Sequence, residues 1–314
     1  ADLMQIPVIT TMMGISVFPD DDQLFCGMIG THGVKMANAA VNECDVLFLV
    51  GARVGDRAVK TPLALEKTTK IIHIDIDPAE IGKNIGADLP LVGDAKLVLQ
   101  QMTELAKPMK HDEWIAHIKT LGGERKYVEP AKGTVNPRVF IDRLAKKMPA
   151  NVTVVADVGQ NQIWTCTEYK FRKEGRLLTS GGMGTMGYSV PAAIGAKMAD
   201  NSRATVAICG DGAFQMSFME LATAVQFGVD IKVVVMTNNR LGMVRELQTN
   251  GYHDRQTAVF LDGSPDFIKL AEAYGIPAMR VYDDDTMEKG IEMLAEHKGI
   301  CLVEVVVDKD MPTL

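Results

Sequence analysis

Two polar groupings at the ends of apolar runs have the right residue types to hold a charged ligand. Asp211 lies in Gly210-Asp211-Gly212 after the run Ala204 to Cys209, and the pair Asn238-Asn239 follows the run Ile231 to Met236. A Mg²⁺ ion bound to a diphosphate needs only a few protein oxygens, because it keeps octahedral geometry and fills its other positions with phosphate oxygens and water. One carboxylate and one amide suffice. Glycines on both sides of Asp211 let the backbone come close to a phosphate, and the amides opening a following helix point toward it. The chemistry these residues imply is a magnesium-diphosphate clamp. GDG and NN are each common turn sequences as well, so the reading rests on their pairing.

A clamp needs its two halves side by side, and the intervening sequence provides for that. Each apolar run is short, rich in Val, Ile and Ala, and bounded by Gly or Asn, as expected for a parallel strand buried on both faces. Between them, Phe214 to Gly228 carries Met216, Met219, Leu221, Ala222 and Val225 at mostly helical intervals and closes on a glycine, which predicts a helix. The result is a βαβ unit whose polar groups emerge at the carboxyl ends of neighbouring strands, where open α/β sheets bind ligands.

The same alternation extends along the chain and gives an α/β protein with two doubly wound parallel-sheet domains. Residues 1–107 form the first, with strands at Ile6 to Thr10, Val46 to Val50 and Ile71 to Ile74 and helices at Gly33 to Glu43 and Lys96 to Ala106. Ala1 to Gln5 reads as the tail of a helix, so this domain is expected to be incomplete at its N-terminal end. Residues 108–136 read as a linker with one helix around Trp114. Residues 137–314 form the second domain, opened by Pro137, with strands at Val152 to Ala156, Leu177 to Thr179, Ala204 to Cys209, Ile231 to Met236, Ala278 to Val281 and Cys301 to Val307.

Composition excludes several function classes. A formal charge of -7 with no Lys/Arg cluster argues against nucleic acid and offers no membrane-binding face. No apolar stretch approaches bilayer-spanning length and no signal pattern is visible, so a cytoplasmic protein is expected. The five cysteines are scattered and lie mostly in apolar runs; reduced core thiols are expected, not disulfides.

GDG, 25 intervening residues and NN together resemble the thiamin diphosphate signature of the decarboxylase and carboligase superfamily. Within it, Asp157-Val-Gly-Gln, Leu178-Thr-Ser-Gly-Gly-Met-Gly-Thr-Met-Gly-Tyr-Ser and Asn239-Arg-Leu-Gly-Met-Val resemble the catalytic large subunits of acetolactate (acetohydroxyacid) synthases. Thr10-Thr-Met-Met-Gly, Gly30-Thr-His-Gly, Gly51-Ala-Arg-Val-Gly-Asp-Arg, the His73 to Asn84 stretch and Val92-Gly-Asp resemble that family's flavin-binding middle domain. The resemblance covers nearly all of the chain but only about the last half of the family's usual length.

The resemblance implies decarboxylation of pyruvate and carboligation to a second 2-ketoacid, in branched-chain amino acid biosynthesis. Asp211 and Asn238 would bind Mg²⁺ through side-chain oxygens and Arg240 through its backbone carbonyl, leaving the arginine side chain free. Gly210, Gly212, Ala213, Gly242, Met243 and the turn Gly159-Gln160-Asn161 would hold the diphosphate; Asn161 stands where the family usually has histidine. Gly184 and Met186 would carry the aminopyrimidine ring and bend the cofactor into its V shape. Thr11, Met12, Met13, His32, Gly51, Arg53, Arg57, Asp75 and Asp94 fall on positions that hold FAD. No catalytic residue is carried over, because the activating glutamate belongs to a pyrimidine-binding N-terminal domain outside these residues. Leu247 replaces the usual acceptor-pocket tryptophan. A homodimer or homotetramer and a small regulatory subunit are the implied partners. The readings left open beside this are a cofactor-binding module without chemistry of its own, and a glyoxylate- or sulfoacetaldehyde-processing thiamin enzyme.

Overall fold

Residues 1–123 and 127–314 are described by the computed structural model. They divide into two compact units, Ala1–Gly14 with Asp22–Arg125 and Ile15–Asp21 with Lys126–Leu314. Both are α/β with parallel strands throughout.

In the first unit the strands are shared between two sheets. β1 (Val8–Thr10) pairs with β2 (Phe25–Met28), and β3 (Val46–Val50), β4 (Lys70–Asp75) and β5 (Leu89–Val92) form the other in that order. Helices α1 (Lys35–Glu43), α2 (Pro62–Leu65), α3 (Ala95–Leu105) and α4 (Asp112–Leu121) complete it. Val41, Leu49, Leu65, Ile71 and Ile85 make its core, with Ile9 and Ile29 packed against them. The expected helix tail at Ala1 to Gln5 is a 3₁₀ turn, Asp2–Met4. The span read as a linker, 108–136, includes 124–126, which lie outside the described residues; its helix α4 packs on α1.

The second unit runs α5 (Pro137–Lys147), β6 (Thr153–Ala156), α6 (Gln160–Glu168), β7 (Arg176–Thr179), α7 (Ser189–Ala199), β8 (Thr205–Gly210) and α8 (Asp211–Phe214). It continues through α9 (Leu221–Gln226), β9 (Lys232–Thr237), α10 (Gly242–Gly251), α11 (Phe267–Ala273), β10 (Ala278–Val281), α12 (Asp284–Glu296) and β11 (Cys301–Val306). The strand order is β10-β11-β9-β8-β6-β7. From β6 the chain steps to β7 on one side and then crosses back to β8 on the other, so the switch point lies between β6 and β8. Val154, Val155, Val206, Ala207, Ile208, Val233, Val234 and Val235 are fully buried, as central strands covered on both faces require.

The segment Phe214 to Gly228 departs from the single helix its periodicity predicts. α8 ends at Phe214, Ser217 leaves helical geometry at φ -144° and ψ 8°, a 3₁₀ turn covers Phe218–Glu220, and only then does α9 begin. The glycine-rich loop packs directly on the interruption: a Cβ on Gly187, with φ +84°, would sit 3.0 Å from the Met216 Cβ.

Ile15–Asp21 straps the outer edge of β7. Ser16 Oγ accepts from the Leu177 amide at 3.0 Å, Asp20 N donates to the Phe171 carbonyl at 2.8 Å, and Phe171 N donates back to Asp20 Oδ2 at 2.9 Å. β7 is an edge strand, and the Ser16 bond occupies its Leu177 amide, a group an edge otherwise leaves open, while Asp20 holds the segment before it at Phe171. All five cysteines are unpaired, and burial pushes the Cys26 and Cys301 thiols up to about 11. Among the described residues no helix is long and apolar enough to cross a membrane.

Candidate functional site at the carboxyl ends of three neighbouring strands

Asp211 is the first residue after β8 and is only 2 % exposed. Its Oδ1 accepts from the Gly212 amide at 2.8 Å, and its Oδ2 accepts from the amides of Asn238 at 3.2 Å and Asn239 at 2.6 Å. The carboxylate thus ties the end of β8 to the end of β9, its neighbour in the sheet. Among the described residues its donors are all backbone amides. Burial pushes its pKa up to about 6 against the pull of those amides. A desolvated carboxylate without a cation beside it suits a metal ion, whose charge would offset the burial cost.

Asn238 presents its two amide atoms in different directions. Oδ1 accepts from the Arg240 amide at 3.0 Å, and Nδ2 donates to Gln160 Oε1 at 3.3 Å. Asn239 takes a left-handed φ of 53°, which turns the chain sharply after β9. The Arg240 side chain is not free: Nη1 donates to the Asn239 carbonyl at 2.6 Å and to Asp262 Oδ1 at 2.8 Å, and the guanidinium lies over Phe260. Beside Asn238, Asn239 and Arg240 opens a cavity of about 420 Å³ with Thr134, Asp262, Asp308 and Lys309 on its walls.

The helices that begin here lack side-chain caps. α6 starts at Gly159, α8 at Gly210 and α10 at Leu241 without one, as do α7 and α9, whereas α5, α11 and α12 in the same unit are capped by Asn136, Asp266 and Asp283. First-turn amides have no intrahelical acceptor, so those of Ala213, Gly242 and Met243 could serve a ligand. An anion there is favoured by both the amides and the helix dipoles. Gly159, at φ +140°, opens α6 in a conformation suited to glycine, with Asn161 Oδ1 2.8 Å from where a Cβ would be. Asn161 Nδ2 donates to the carbonyls of Asp157 at 2.9 Å and Ile208 at 3.2 Å, stitching β6 to β8 across the switch point.

Gln160 is buried between α10 and the segment after β11. Its Nε2 donates to Glu246 Oε2 at 3.0 Å, the Met311 carbonyl at 2.9 Å and Thr313 Oγ1 at 3.2 Å. Its Oε1 fills the space beside Gly242, where a Cβ would come within 1.9 Å of it.

Asp157, fully buried at the end of β6, organises the glycine-rich loop. Oδ1 accepts from Val158 N at 2.9 Å and Gly187 N at 3.0 Å, and Oδ2 accepts from Ser189 N at 2.7 Å. The loop therefore closes on β6 just after Met186, which packs on the core and whose Cε would be 3.2 Å from a Cβ on Gly212. Gly184 has φ +65° and nothing within 4 Å of its Cβ position, so its backbone faces open space. Sequence reasoning missed Asp157, Glu246 and Thr313 as parts of this site. An acid closing a buried strand was a usable signal for Asp157; nothing local marked the other two.

In the first unit the residues expected to hold a flavin all lie at or after the carboxyl ends of strands. Thr11 to Met13 follow β1, with Thr11 Oγ1 accepting from Gly14 N at 3.2 Å and Met13 exposed. His32 follows β2, and its loop is joined to that of Arg57 by a bond from Thr31 N to the Arg57 carbonyl of 2.9 Å. Gly51, at φ +61°, donates its amide to the Ile74 carbonyl at 2.8 Å, and Gly93 donates to the Asp75 carbonyl at 2.9 Å, linking the ends of β3, β4 and β5. Arg53 and Arg57 are exposed and make no ion pair among the described residues. Asp75 Oδ1 accepts from Asp77 N, and Asp94 caps α3 through Leu97 N.

Comparison with known proteins matches residues 157–305 to the model of a thiamine pyrophosphate enzyme C-terminal TPP binding domain, and residues 1–102 to that of a thiamine pyrophosphate enzyme central domain. A probable acetolactate synthase large subunit of Methanocaldococcus jannaschii is 40 % identical over 98 % of this chain and 54 % of its own length. The acetolactate synthase large subunit of Lactococcus lactis is 36 % identical over 97 % and 53 %, and the isozyme 3 large subunit of Escherichia coli is 34 % identical over 98 % and 55 %. The chain spans about half the length of these curated relatives.

Proposed function

We infer what this chain does from the premise that it belongs to the thiamine pyrophosphate enzymes, whose central and C-terminal domains it carries. We propose that the second unit binds thiamin diphosphate through Mg²⁺, with Asp211 and Asn238 as side-chain ligands and the Arg240 carbonyl as a third. The observation that carries this is the buried Asp211 carboxylate, held among the described residues by backbone amides alone, between two neighbouring strands whose following helices start uncapped. Among the described residues no three His, Cys, Asp or Glu side chains converge. A cation held by Asp211 and Asn238 would therefore depend on phosphate oxygens for much of its shell.

The amides of Ala213, Gly242 and Met243 and the turn Gly159-Gln160-Asn161 are assigned to the phosphates. The backbone at Gly184 and the side chain of Met186 are assigned to the aminopyrimidine, with Asp157 holding their loop in place. When bound, the cofactor supplies the nucleophilic carbon on which a 2-ketoacid loses CO₂ and from which the remaining unit passes to a second carbonyl. The chain's own contribution is to bind and orient; the activating glutamate is assigned to a separate pyrimidine-binding domain.

The reaction we propose is that of an acetolactate synthase, joining pyruvate to a second 2-ketoacid, in a cytoplasmic homodimer or homotetramer with a small regulatory subunit. Leu247 on α10, 63 % exposed, would line the acceptor pocket. A leucine there discriminates one extra methylene less well than a larger ring would, within the 10–200-fold or so available to apolar pockets. FAD is assigned to the first unit, with Arg53 and Arg57 toward its diphosphate and Asp75 toward a ribose.

The test has two stages. Calorimetry with thiamin diphosphate should show binding that requires Mg²⁺, and adding a pyrimidine-binding domain with FAD and pyruvate should then yield acetolactate. Absence of Mg²⁺-dependent binding refutes the assignment. Binding without product under the second condition favours a cofactor-binding module instead.

A further inference from the structure

Glu246 lies behind the clamp on α10 and touches none of the proposed cation ligands. Its carboxylate nevertheless collects donors from two directions. Gln160 Nε2 reaches it at 3.0 Å, the Thr313 amide donates to Oε1 at 3.3 Å and Oε2 at 3.1 Å, and the Thr313 hydroxyl also donates to Oε2. The segment carrying Thr313 is held further by Trp164 Nε1 donating to the Pro312 carbonyl at 3.1 Å and by Arg245 beside Met311 and Asp310.

The chemistry of these groups fixes a direction. A carboxylate and a backbone carbonyl can only accept, so Gln160 must turn its NH₂ toward Glu246 and Met311 and its oxygen the other way. That oxygen lies 3.3 Å from Asn238 Nδ2. Asn238 must then spend its NH₂ on Gln160 and turn Oδ1 toward the Arg240 amide, 3.0 Å away, so its oxygen, and not its NH₂, is the end free of Gln160. Gly242 makes the arrangement possible, because any side chain there would displace Gln160 Oε1.

We propose that Glu246 is a positioning residue of the cation site, acting through Gln160 on the orientation of the Asn238 amide. The inference rests on the assignment of Asn238 as a ligand. Outer-layer partners that orient metal ligands commonly change affinity by about 10- to 100-fold when removed.

The experiment measures Mn²⁺ binding by electron paramagnetic resonance, with thiamin diphosphate present, for the full chain and the variants Glu246→Ala, Glu246→Gln, Gln160→Ala and Glu246→Ala/Gln160→Ala. Glu246→Ala should weaken Mn²⁺ about tenfold or more in the wild-type background and have almost no effect once Gln160 is gone. Glu246→Gln, which keeps one acceptor oxygen, should lose less. An unchanged Mn²⁺ affinity in Glu246→Ala, or an equal loss with and without Gln160, overturns the inference. Thermal midpoints accompany each variant, and if Glu246→Ala does not fold, Glu246→Gln carries the same cycle and criterion. A wild-type chain that binds no Mn²⁺ with the diphosphate overturns the function proposed above and this inference with it.

Discussion

Asp211 makes the unliganded fold sensitive to pH in a direction opposite to that of an ordinary salt-bridged carboxylate. Burial raises its pKa from 3.8 to about 6, so the folded state holds this proton more tightly than the unfolded chain does. The associated stability is fully present below pH 3.8 and is lost as pH rises through about 6. Above that the ionised group costs the fold about 3 kcal/mol, at about 1.4 kcal/mol per pH unit. Asp211→Asn stays neutral throughout. Its single oxygen can keep the two amides of Asn238 and Asn239 but gives up that of Gly212, at about 1–3 kcal/mol. Urea denaturation of both proteins should then show the wild type ahead at low pH, with its lead shrinking by about 2 kcal/mol between about pH 4.5 and pH 8. Using the variant as reference removes the contributions of other titrating groups. Mg²⁺ with thiamin diphosphate should restore the lead at pH 8, since the neutral amide of the variant holds the cation more weakly than the carboxylate does. A stability gap independent of pH would refute the reasoning, because it would mean that Asp211 ionises without penalty in its buried site.

Two further substitutions probe the parts around it. Asp157→Ala strands the buried amide of Ser189 and the partly buried ones of Val158 and Gly187, the buried one at about 1–3 kcal/mol and the others at less. The variant should lose about 3 kcal/mol or more in urea and be cleaved faster within Gly181 to Gly187, and unchanged proteolysis there would count against its organising role. Gly242→Ala drives a methyl into the Gln160 oxygen and should cost about 1–3 kcal/mol of stability. Calorimetry should also show weaker cofactor binding, whereas Gly251→Ala in the same helix meets nothing within 4 Å and should bind as the wild type does.

The second unit was legible in the sequence because its strands are buried on both faces and read as unbroken apolar runs. Thr205–Gly210 and Lys232–Thr237 each lie within about one residue of the runs Ala204 to Cys209 and Ile231 to Met236. Their adjacency followed from the short crossover between them. What escaped was set by distant partners. The single helix expected after Asp211 is interrupted where Gly187 packs on Met216, and Arg240 loses its freedom to Asp262 and Phe260. β2 and β5 were missed because Gly27 and Pro90 interrupt the strand pattern; β5 tolerates its proline as an edge strand. Gln160 and Asn161 were visible as a turn after β6, but their amides are oriented by Glu246, Thr313 and the Ile208 carbonyl, none of which is near in sequence.

The strap of Ile15–Asp21 bears on how this chain can be dissected. A cut before Tyr127 divides the sequence cleanly but not the molecule, since it leaves behind the residues that bond Leu177 and Phe171. The freed second unit would leave the Leu177 amide of edge strand β7 open, a point at which one copy could join the next in growing aggregates. A soluble excised unit is better built by grafting residues 15–21 back through a flexible tether than by moving the cut.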